Sequence, residues 1–240
     1  MQAGAYARFR PVYPEALFTW LAQQVSAHDL AWDCATGNGQ AAFGLTAHFA
    51  QVVASDASPE QVLRARAHPQ IRYLVAQAEE PPAEAQGADL VTVAQALHWF
   101  NFEQFYPAVK RTLKPNGLLA AWSYGLMRIT PSVDAVLQDY YSNVVGSYWP
   151  PERHYIENAY REIPFPLLEV ASRDFMMQAE WTLENLLGYL ETWSATRRYR
   201  QAREGADPIE SVRDRFARAW GGASTRTITW PLFVRAGRFV

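Results

Sequence analysis

The chain has 240 residues, 49% of them hydrophobic and 19% charged, which is the composition of an ordinary globular domain. Its formal net charge of −2 gives no electrostatic basis for binding nucleic acid or an anionic membrane. No run of residues approaches the roughly 20 apolar residues that a membrane-spanning helix needs. Cys34 is the only cysteine, so an internal disulfide is excluded and a reducing compartment is favoured. We therefore expect a cytoplasmic protein.

Residues 1–13 predict an irregular arm, because Pro11 and Pro14 interrupt any helical run. The arm carries aromatic and cationic side chains, among them Tyr6, Arg10 and Tyr13. It is either a surface tail or a segment that folds over a ligand site. In the second case these three side chains are candidate substrate contacts, and the arginine is available to a carboxylate.

From Pro14 the sequence predicts an amphipathic helix, followed by short apolar strands that alternate with helices. This alternation is typical of βαβ units that build a parallel sheet. The helices between the strands are predicted at 41–49, 58–67 and 102–113, with a turn at 114–117. The predicted strands are Leu30–Asp33, Val52–Asp56, Ile71–Val75, Ala88–Ala94 and Leu118–Tyr124.

The pattern changes after Pro131, where helices predominate. We expect the late helices to form a cap over the carboxyl edge of the sheet, within a single domain of residues 1–240. Residues 1–125 would be its core, and 126–240 the helical cap plus the last two strands. The predicted elements are helices at 133–145, 182–203 and 208–220, with Thr182 as an N-cap, a Pro-broken aromatic loop at 148–155, a strand within 165–181 and a last strand at 225–234.

The segment 33–40, Asp-Cys-Ala-Thr-Gly-Asn-Gly-Gln, predicts a tight turn from the first strand into a helix. Such a turn presents backbone N–H groups at a helix N-terminus, where open α/β sheets bind their ligands. One interpretation is a dinucleotide site. Gly37-x-Gly39-x-x-Ala42 matches the dinucleotide fingerprint, and Asp56 follows about 20 residues further on.

The same turn resembles motif I of class I S-adenosylmethionine (SAM) methyltransferases, through an acid-x-small-x-Gly-x-Gly pattern formed by Asp33, Ala35, Gly37 and Gly39. That family has a carboxylate at the end of the first strand, where it would sit poorly against a pyrophosphate. The family usually has glycine at the position of Ala35, and we expect alanine there to require a negative φ. The turn alone leaves both interpretations open.

Residues after the turn favour the methyltransferase interpretation. The resemblance implies that Asp56, with Ala57, accepts hydrogen bonds from both ribose hydroxyls, although Asp56 alternatively caps the next helix. Ala78-Glu79 resembles the adenine-binding segment of the family, and Gln95 stands where the family contacts the methionine part of SAM. These are the candidate cofactor-binding residues.

A narrower resemblance, to methyltransferases related to the trans-aconitate methyltransferases, covers most of the chain. It implies a Rossmann-like, seven-stranded, mostly parallel sheet flanked by helices, with an α-helical cap inserted among the late strands. It also implies methyl transfer from SAM to a small molecule such as a carboxylate. The segments that carry it are 6–14, 94–100, 113–117, 148–153 and 192–194.

The acceptor decides which side chains the chemistry needs. A carboxylate is ionised at neutral pH and requires only cations to hold it, for which Arg10 and Arg153 are candidates. A hydroxyl or amine acceptor needs a base, and His98 is the candidate catalytic residue, unless it packs beside Trp99. Trp99 and Trp149 either line the acceptor pocket or belong to the core.

The sequence thus predicts a SAM-dependent methyltransferase with S-adenosylhomocysteine as product and a small-molecule acceptor, most directly an oxygen such as a carboxylate. We expect no metal, no nucleic acid and no membrane partner, and a monomer or homodimer. Two alternatives stay open, an NAD-type oxidoreductase and a SAM-binding module without turnover.

Overall fold

The computed structural model describes residues 11–171 and 173–240, which fall into two compact units. The first, named the sheet unit, consists of Tyr13–Gly125, His154–Phe175 and Pro231–Val240. The second, named the helical unit, contains residues 11–12 together with Leu126–Arg153 and Met176–Trp230. In the described part of the chain, no helix has both the length and the apolar character to cross a membrane.

The strands are β1 Leu30–Cys34, β2 Gln51–Asp56, β3 Ile71–Val75, β4 Ala88–Ala94, β5 Leu113–Tyr124, β6 Leu168–Glu169, β7 Phe175–Trp181 and β8 Arg226–Arg238. Within the described residues, the sheet has eight strands rather than the seven predicted, in the order β3-β2-β1-β4-β5-β8-β6, with β7 paired to β8 off this path. Strands β1 to β5 are parallel to one another, and β8 is antiparallel to β5 and β6. The sheet is therefore mostly parallel, as predicted.

The additional strand comes from the interval 165–181, which holds two strands instead of the single one predicted. The reason is the length of β8, whose 13 residues accommodate both of these strands in addition to β5. Its end at Gly237 and Arg238 pairs with β6, and β7 pairs with it separately.

The predicted turn 114–117 lies inside β5. The register between β4 and β5 shifts there, because Ala88 pairs with Leu113 whereas Leu90 pairs with Leu118. Asn116 takes a left-handed φ of 65° at this irregularity. The turn residues therefore produce a bulge within a continuing strand.

Burial on both faces explains why the parallel strands read as continuous apolar runs. Residues 88–93 of β4 are all buried, and Trp32 and Trp122 are fully buried. The single cysteine, Cys34 at the end of β1, is a free thiol in this core. Burial raises its pKa well above the ordinary value of a thiol.

The helices of the sheet unit are shorter than predicted. The helix that begins at Pro59 ends at Leu63 rather than near Ala67, and the helix predicted to reach Phe49 ends at Leu45. The helices that belong wholly or largely to this unit are α1 Glu15–Gln23, α2 Gln40–Leu45, α3 Pro59–Leu63, α4 Phe102–Thr112 and α6 Arg153–Glu157.

In the helical unit, the helix predicted over 182–203 is two helices. The chain leaves helical geometry at Trp193, whose ψ is 138° and which stands as the N-cap of the second helix. The predicted N-cap Thr182 is confirmed, since it forms a capping box with Asn185. The helix predicted to reach Val145 is α-helical only to Asp139, with a π turn over Tyr140–Val144. The helices here are α5 Pro131–Asp139, α7 Leu183–Glu191, α8 Ser194–Ala202 and α9 Glu210–Trp220.

Candidate active site

The loops that carry the predicted cofactor residues converge at one edge of the sheet unit. Cys34 at the end of β1 pairs in parallel with Ser55 of β2 and Val93 of β4, and Asp56 pairs with Val75 of β3. The carboxyl ends of these four strands therefore meet, and the loops that follow them share that edge. The predicted residues in those loops are Gly37 and Gly39 after β1, Asp56 and Ala57 at the end of β2, Ala78 and Glu79 after β3, and Gln95 after β4.

The turn after β1 is built from three left-handed residues, with φ of 55° at Ala35, 57° at Gly37 and 87° at Gly39. The expectation of a negative φ at Ala35 is wrong. A left-handed alanine is unfavourable by about 1–2 kcal/mol, and its neighbour Thr36 helps to hold it. The Thr36 N–H donates to the Ser55 carbonyl at 2.9 Å, which ties the turn to β2.

The two glycines of the turn face different surroundings. A Cβ at Gly39 would lie 2.1 Å from the Tyr73 hydroxyl oxygen, so β3 closes that side against any larger residue. Among the described residues, a Cβ at Gly37 would meet no atom within 4 Å. The turn therefore has a closed side toward β3 and an open side at Gly37.

Asp33 acts inside the protein, where its side chain is fully buried. One carboxylate oxygen accepts the Thr36 hydroxyl at 2.5 Å and the Ala42 N–H at 3.1 Å, and the other accepts the Thr92 hydroxyl at 2.7 Å. Burial raises the pKa of Asp33 to about 6, against these three donors, which lower it. The carboxylate thus joins the turn, the start of α2 and β4.

Asp56 holds the turn from the end of β2. One of its oxygens accepts the Gly37 N–H at 2.8 Å, and the other accepts the Ser58 N–H at 2.9 Å. Ser58 in turn caps α3 by accepting the N–H of Gln61. A carboxylate has about four lone-pair sites, so these two bonds leave capacity for further donors. Helix support and ligand binding by Asp56 are compatible.

Glu79 and Ala78 follow β3 at the same edge. One Glu79 carboxylate oxygen accepts the N–H of Asn101, the residue that precedes α4, at 2.8 Å. Ala78 is buried. The segment after β3 is therefore fastened to the start of α4.

Gln95 extends the pairing between β4 and β5 with its side chain. Its carboxamide donates to the Tyr124 carbonyl and accepts the Tyr124 N–H, both at 3.3 Å. Its own N–H donates to the Trp122 carbonyl at 2.9 Å. Gln95 has a left-handed φ of 57°, so the chain turns away from the sheet at this residue.

Comparison with known proteins identifies the family. A Dictyostelium discoideum protein classed as a methyltransferase is 30% identical to this chain over 238 residues, covering 96% of this chain and 90% of that protein. This chain belongs to the class I methyltransferases. The methyltransferase domain family profile matches residues 32–121, from β1 into β5, and so includes all the loop residues described above.

Two further relatives agree with this methyltransferase assignment. A solved structure from Anaeromyxobacter dehalogenans, classed as a type II methyltransferase, is 40% identical with a TM-score of 0.87, covering 95% of this chain and 97% of that chain. An uncharacterized Mycobacterium tuberculosis methyltransferase is 41% identical over 118 residues, or 48% of this chain and 47% of that protein. The narrower resemblance to the trans-aconitate methyltransferases stays a prediction.

His98 of this methyltransferase lies in a 3₁₀ turn, Leu97–Trp99, directly after the Gln95 side-chain pairing. Its side chain is buried, and its Nδ1 atom lies 2.8 Å from the hydroxyl oxygen of Tyr160. Sequence reasoning missed Tyr160, because a contact across 62 residues leaves no local pattern. The His98 ring also packs beside Trp99, with 4.7 Å between the two ring centroids.

Trp99 and Tyr13 differ in burial. Trp99 is 56% exposed, so the alternative that it belongs to the core is wrong. Tyr13 is buried, with its ring edge-on to Trp122 at 5.5 Å between centroids. Tyr6 and Arg10 lie outside the described residues.

The helical unit brings together the other two substrate candidates, Trp149 and Arg153. The Arg153 guanidinium carbon lies 4.5 Å from the centre of the Trp149 ring, within cation–π distance. The Arg153 Nε also donates to the Tyr141 hydroxyl at 2.8 Å. Trp149 packs on Tyr141 and Trp193, with centroids 5.0 and 5.3 Å apart. Arg153 is therefore a cation held in an aromatic cluster.

Proposed function

We propose that this protein is a SAM-dependent methyltransferase that transfers a methyl group to an oxygen of a small-molecule acceptor, most directly a carboxylate, with S-adenosylhomocysteine as the other product. The observation that carries the proposal is the turn after β1. It is clamped by Asp33 and Asp56 and open on the side of Gly37. Family membership supports the same chemistry.

The residues at this edge fit the parts of SAM. The Gly37 side of the turn has space for a ligand to approach the backbone, and Asp56 retains acceptor capacity for the two ribose hydroxyls. Ala78 and Glu79 follow β3, where an adenine-binding segment is expected. Gln95 follows the end of β4, where a contact with the methionine part of SAM is expected. Asp33 would contribute by fixing the turn, since its oxygens already accept three internal hydrogen bonds.

The chemistry asks little of the protein beyond alignment. When bound, SAM supplies a methyl group on a positively charged sulfur, which is a good leaving group. The protein's contribution is to orient the acceptor oxygen in line with that methyl and to exclude water. Since a carboxylate is already ionised, it needs cations or hydrogen-bond donors, and His98 is the candidate donor within the sheet unit.

The proposal keeps the remaining expectations from the sequence. We propose a cytoplasmic protein that acts as a monomer or homodimer on a small molecule, with neither nucleic acid nor membrane as partner, and with relatives among the trans-aconitate methyltransferases. No observation favours the dinucleotide alternative.

Calorimetric titration with SAM, S-adenosylhomocysteine and NAD tests the cofactor. We expect the two adenosyl ligands to bind and NAD not to, and Asp56→Ala to abolish that binding. Asp89→Ala is the matched control, because Asp89 anchors the opposite, amino end of β1 by accepting the N–H groups of Asp29 and Leu30. It should lower stability while SAM affinity is retained. Binding of NAD without binding of SAM would refute the proposal.

Turnover separates an enzyme from a binding module. Incubation with SAM and a panel of carboxylic acids should release S-adenosylhomocysteine in an acid-dependent manner. SAM binding without release from any acceptor would instead favour the binding module.

A further inference from the structure

We infer that Tyr160 is a positioning residue for His98. Its hydroxyl donates to His98 Nδ1 and so keeps the proton of the neutral imidazole on Nε2. The inference rests on the proposed function for its meaning in catalysis, but its structural content can be tested separately.

The direction of the hydrogen bond follows from the two groups. His98 Nδ1 and the Tyr160 hydroxyl oxygen are 2.8 Å apart, and both side chains are buried. A neutral imidazole has one donor nitrogen and one acceptor nitrogen. A phenol O–H is the more acidic donor of this pair, and the unprotonated imidazole nitrogen is the better acceptor. The hydrogen bond made by one ring nitrogen therefore decides that the other carries the proton.

The backbone at Tyr160 is held in an unfavourable conformation to deliver this hydroxyl. Ala159 and Tyr160 both have left-handed φ, at 53° and 61°. The Tyr160 N–H donates to the Tyr155 carbonyl at 2.7 Å. Arg235 donates from one nitrogen to the carbonyls of Tyr160 and Ile163, at 2.9 and 2.8 Å. Such strain persists only where the surroundings fix it, and it is concentrated at functional sites.

Arg235 is itself immobilised. Its guanidinium pairs with Glu169 at 2.5 Å and lies over the Phe165 ring, 4.3 Å from the ring centre. A chain of contacts therefore runs from β8 through Arg235 and Tyr160 to His98, all within the sheet unit.

Tyr106 shows what a purely structural tyrosine does in the same cluster. Tyr106 is buried, and its hydroxyl donates to the backbone carbonyl of Pro164. A buried tyrosine here is thus readily satisfied by backbone. Tyr160 instead directs its hydroxyl to a titratable side chain beside the candidate cofactor edge.

The consequence concerns what His98 offers to other groups. A group that contacts His98 Nε2 contacts an N–H donor. The inference therefore replaces the sequence-based expectation that His98 is a base with the expectation that it is a hydrogen-bond donor. An ionised carboxylate suits such a donor. Its oxygen forms a bond to the methyl carbon as the carbon–sulfur bond breaks and the electron pair passes to sulfur, and no proton is released. An alcohol would have to lose its proton to a base.

Nitrogen-15 NMR of the full chain, labelled at its five histidines, tests the inference without cofactor or acceptor. His98→Gln assigns the His98 signals by their loss. We expect wild-type His98 to be protonated at Nε2, with a hydrogen-bonded, unprotonated Nδ1. Tyr160→Phe should shift the Nδ1 resonance toward that of a nitrogen without a hydrogen bond, whereas Tyr106→Phe should leave it in place.

A neutral His98 protonated at Nδ1, or an Nδ1 resonance unmoved by Tyr160→Phe, would overturn the inference. If Tyr160→Phe does not fold, the wild-type protonation pattern still decides it. A wild-type protein that does not bind SAM or shows no turnover would refute the proposed function. The protonation pattern of His98 would be unaffected by that outcome.

Paired acceptors extend the test to chemistry. Each carboxylic acid that is turned over is compared with the corresponding alcohol, with released S-adenosylhomocysteine as the readout. We expect turnover of the acids alone, and a loss in kcat of about tenfold in Tyr160→Phe, the scale of one neutral hydrogen bond, with Tyr106→Phe close to wild type. His98-dependent methylation of the alcohols would contradict the inference.

Discussion

The Asp56 carboxylate accepts the Gly37 N–H at 2.8 Å, so the end of β2 fixes the turn that follows β1. The bond links the ends of two strands at the edge where SAM is proposed to bind. Asp56→Asn keeps one acceptor oxygen and the size of the side chain. It should therefore weaken SAM binding less than Asp56→Ala, in calorimetric titrations of both variants. Equal affinity in the two variants would show that the charge, rather than the acceptor, is what SAM binding requires.

The glycines of the turn should respond differently to alanine. Gly39→Ala places a Cβ 2.1 Å from the Tyr73 hydroxyl oxygen at a φ of 87°, so we expect a loss of about 2–4 kcal/mol in unfolding free energy. The added methyl group of Gly37→Ala meets no atom of residues 11–171 or 173–240 within 4 Å, so this variant should lose only about 1 kcal/mol. Urea unfolding of both variants measures the difference. Gly37→Ala should nevertheless bind SAM more weakly, because its methyl group occupies the open side.

Asp33 makes stability depend on pH. Its pKa in the folded state, about 6, is above the ordinary value of 3.8, so the folded protein binds the proton more tightly than the unfolded chain. This contribution is fully present below pH 3.8 and is lost as the pH rises through 6. Relative to Asp33→Asn, the wild type should lose about 3 kcal/mol between pH 3.5 and pH 7.5. Urea unfolding at both pH values checks this, and a pH-independent difference between the two proteins would contradict it.

Arg235 should matter for stability because it joins four groups. Arg235→Ala leaves the carbonyls of Tyr160 and Ile163 without this donor and removes the partner of Glu169. We expect a loss of about 3 kcal/mol in unfolding free energy, since hydrogen bonds to charged donors are stronger than neutral ones. Arg213→Ala, at an exposed ion pair with Glu184, is the control and should lose less than about 1 kcal/mol.

Substitution of Trp99 and Trp122 compares an exposed tryptophan with a core tryptophan. Trp99 is 56% exposed whereas Trp122 is fully buried, so Trp99→Ala should change the unfolding free energy by less than about 1 kcal/mol and Trp122→Ala by about 3–5 kcal/mol. If Trp99 lines the acceptor site, its variant should lose turnover while keeping its stability. A stability loss in Trp99→Ala as large as that in Trp122→Ala would contradict this prediction.

Local patterns predicted the parallel half of the fold well. The bounds of β3 and β4 agree with the predicted strands Ile71–Val75 and Ala88–Ala94, because each is a short apolar run between polar segments. The cap at Thr182 was equally predictable, since capping depends on residues three positions apart. Both features depend on neighbours in sequence.

The misses depend on distant contacts. The left-handed φ of Ala35 is imposed by β2 through Thr36 and Ser55, and the sequence of the turn alone suggested a negative φ. The Tyr160 hydroxyl reaches His98 across 62 residues, and Arg235, 75 residues after Tyr160, donates to the Tyr160 carbonyl. The turn between β1 and the following helix could be predicted because motif spacing is local, whereas the environment of His98 could not.

The rate at which the single thiol of this chain is alkylated can report on the turn after β1. Cys34 is buried and immediately precedes the left-handed Ala35 of the turn. An alkylating reagent can reach its sulfur only when the end of β1 opens, so the labelling rate at low reagent concentration is proportional to the fraction of molecules in which that end is open. Because SAM is proposed to bind the turn beside this cysteine, saturation with SAM should slow labelling in proportion to its affinity. The alkylation rate of Cys34 in the wild-type protein would thus report whether SAM occupies the turn, before any methyl acceptor is known.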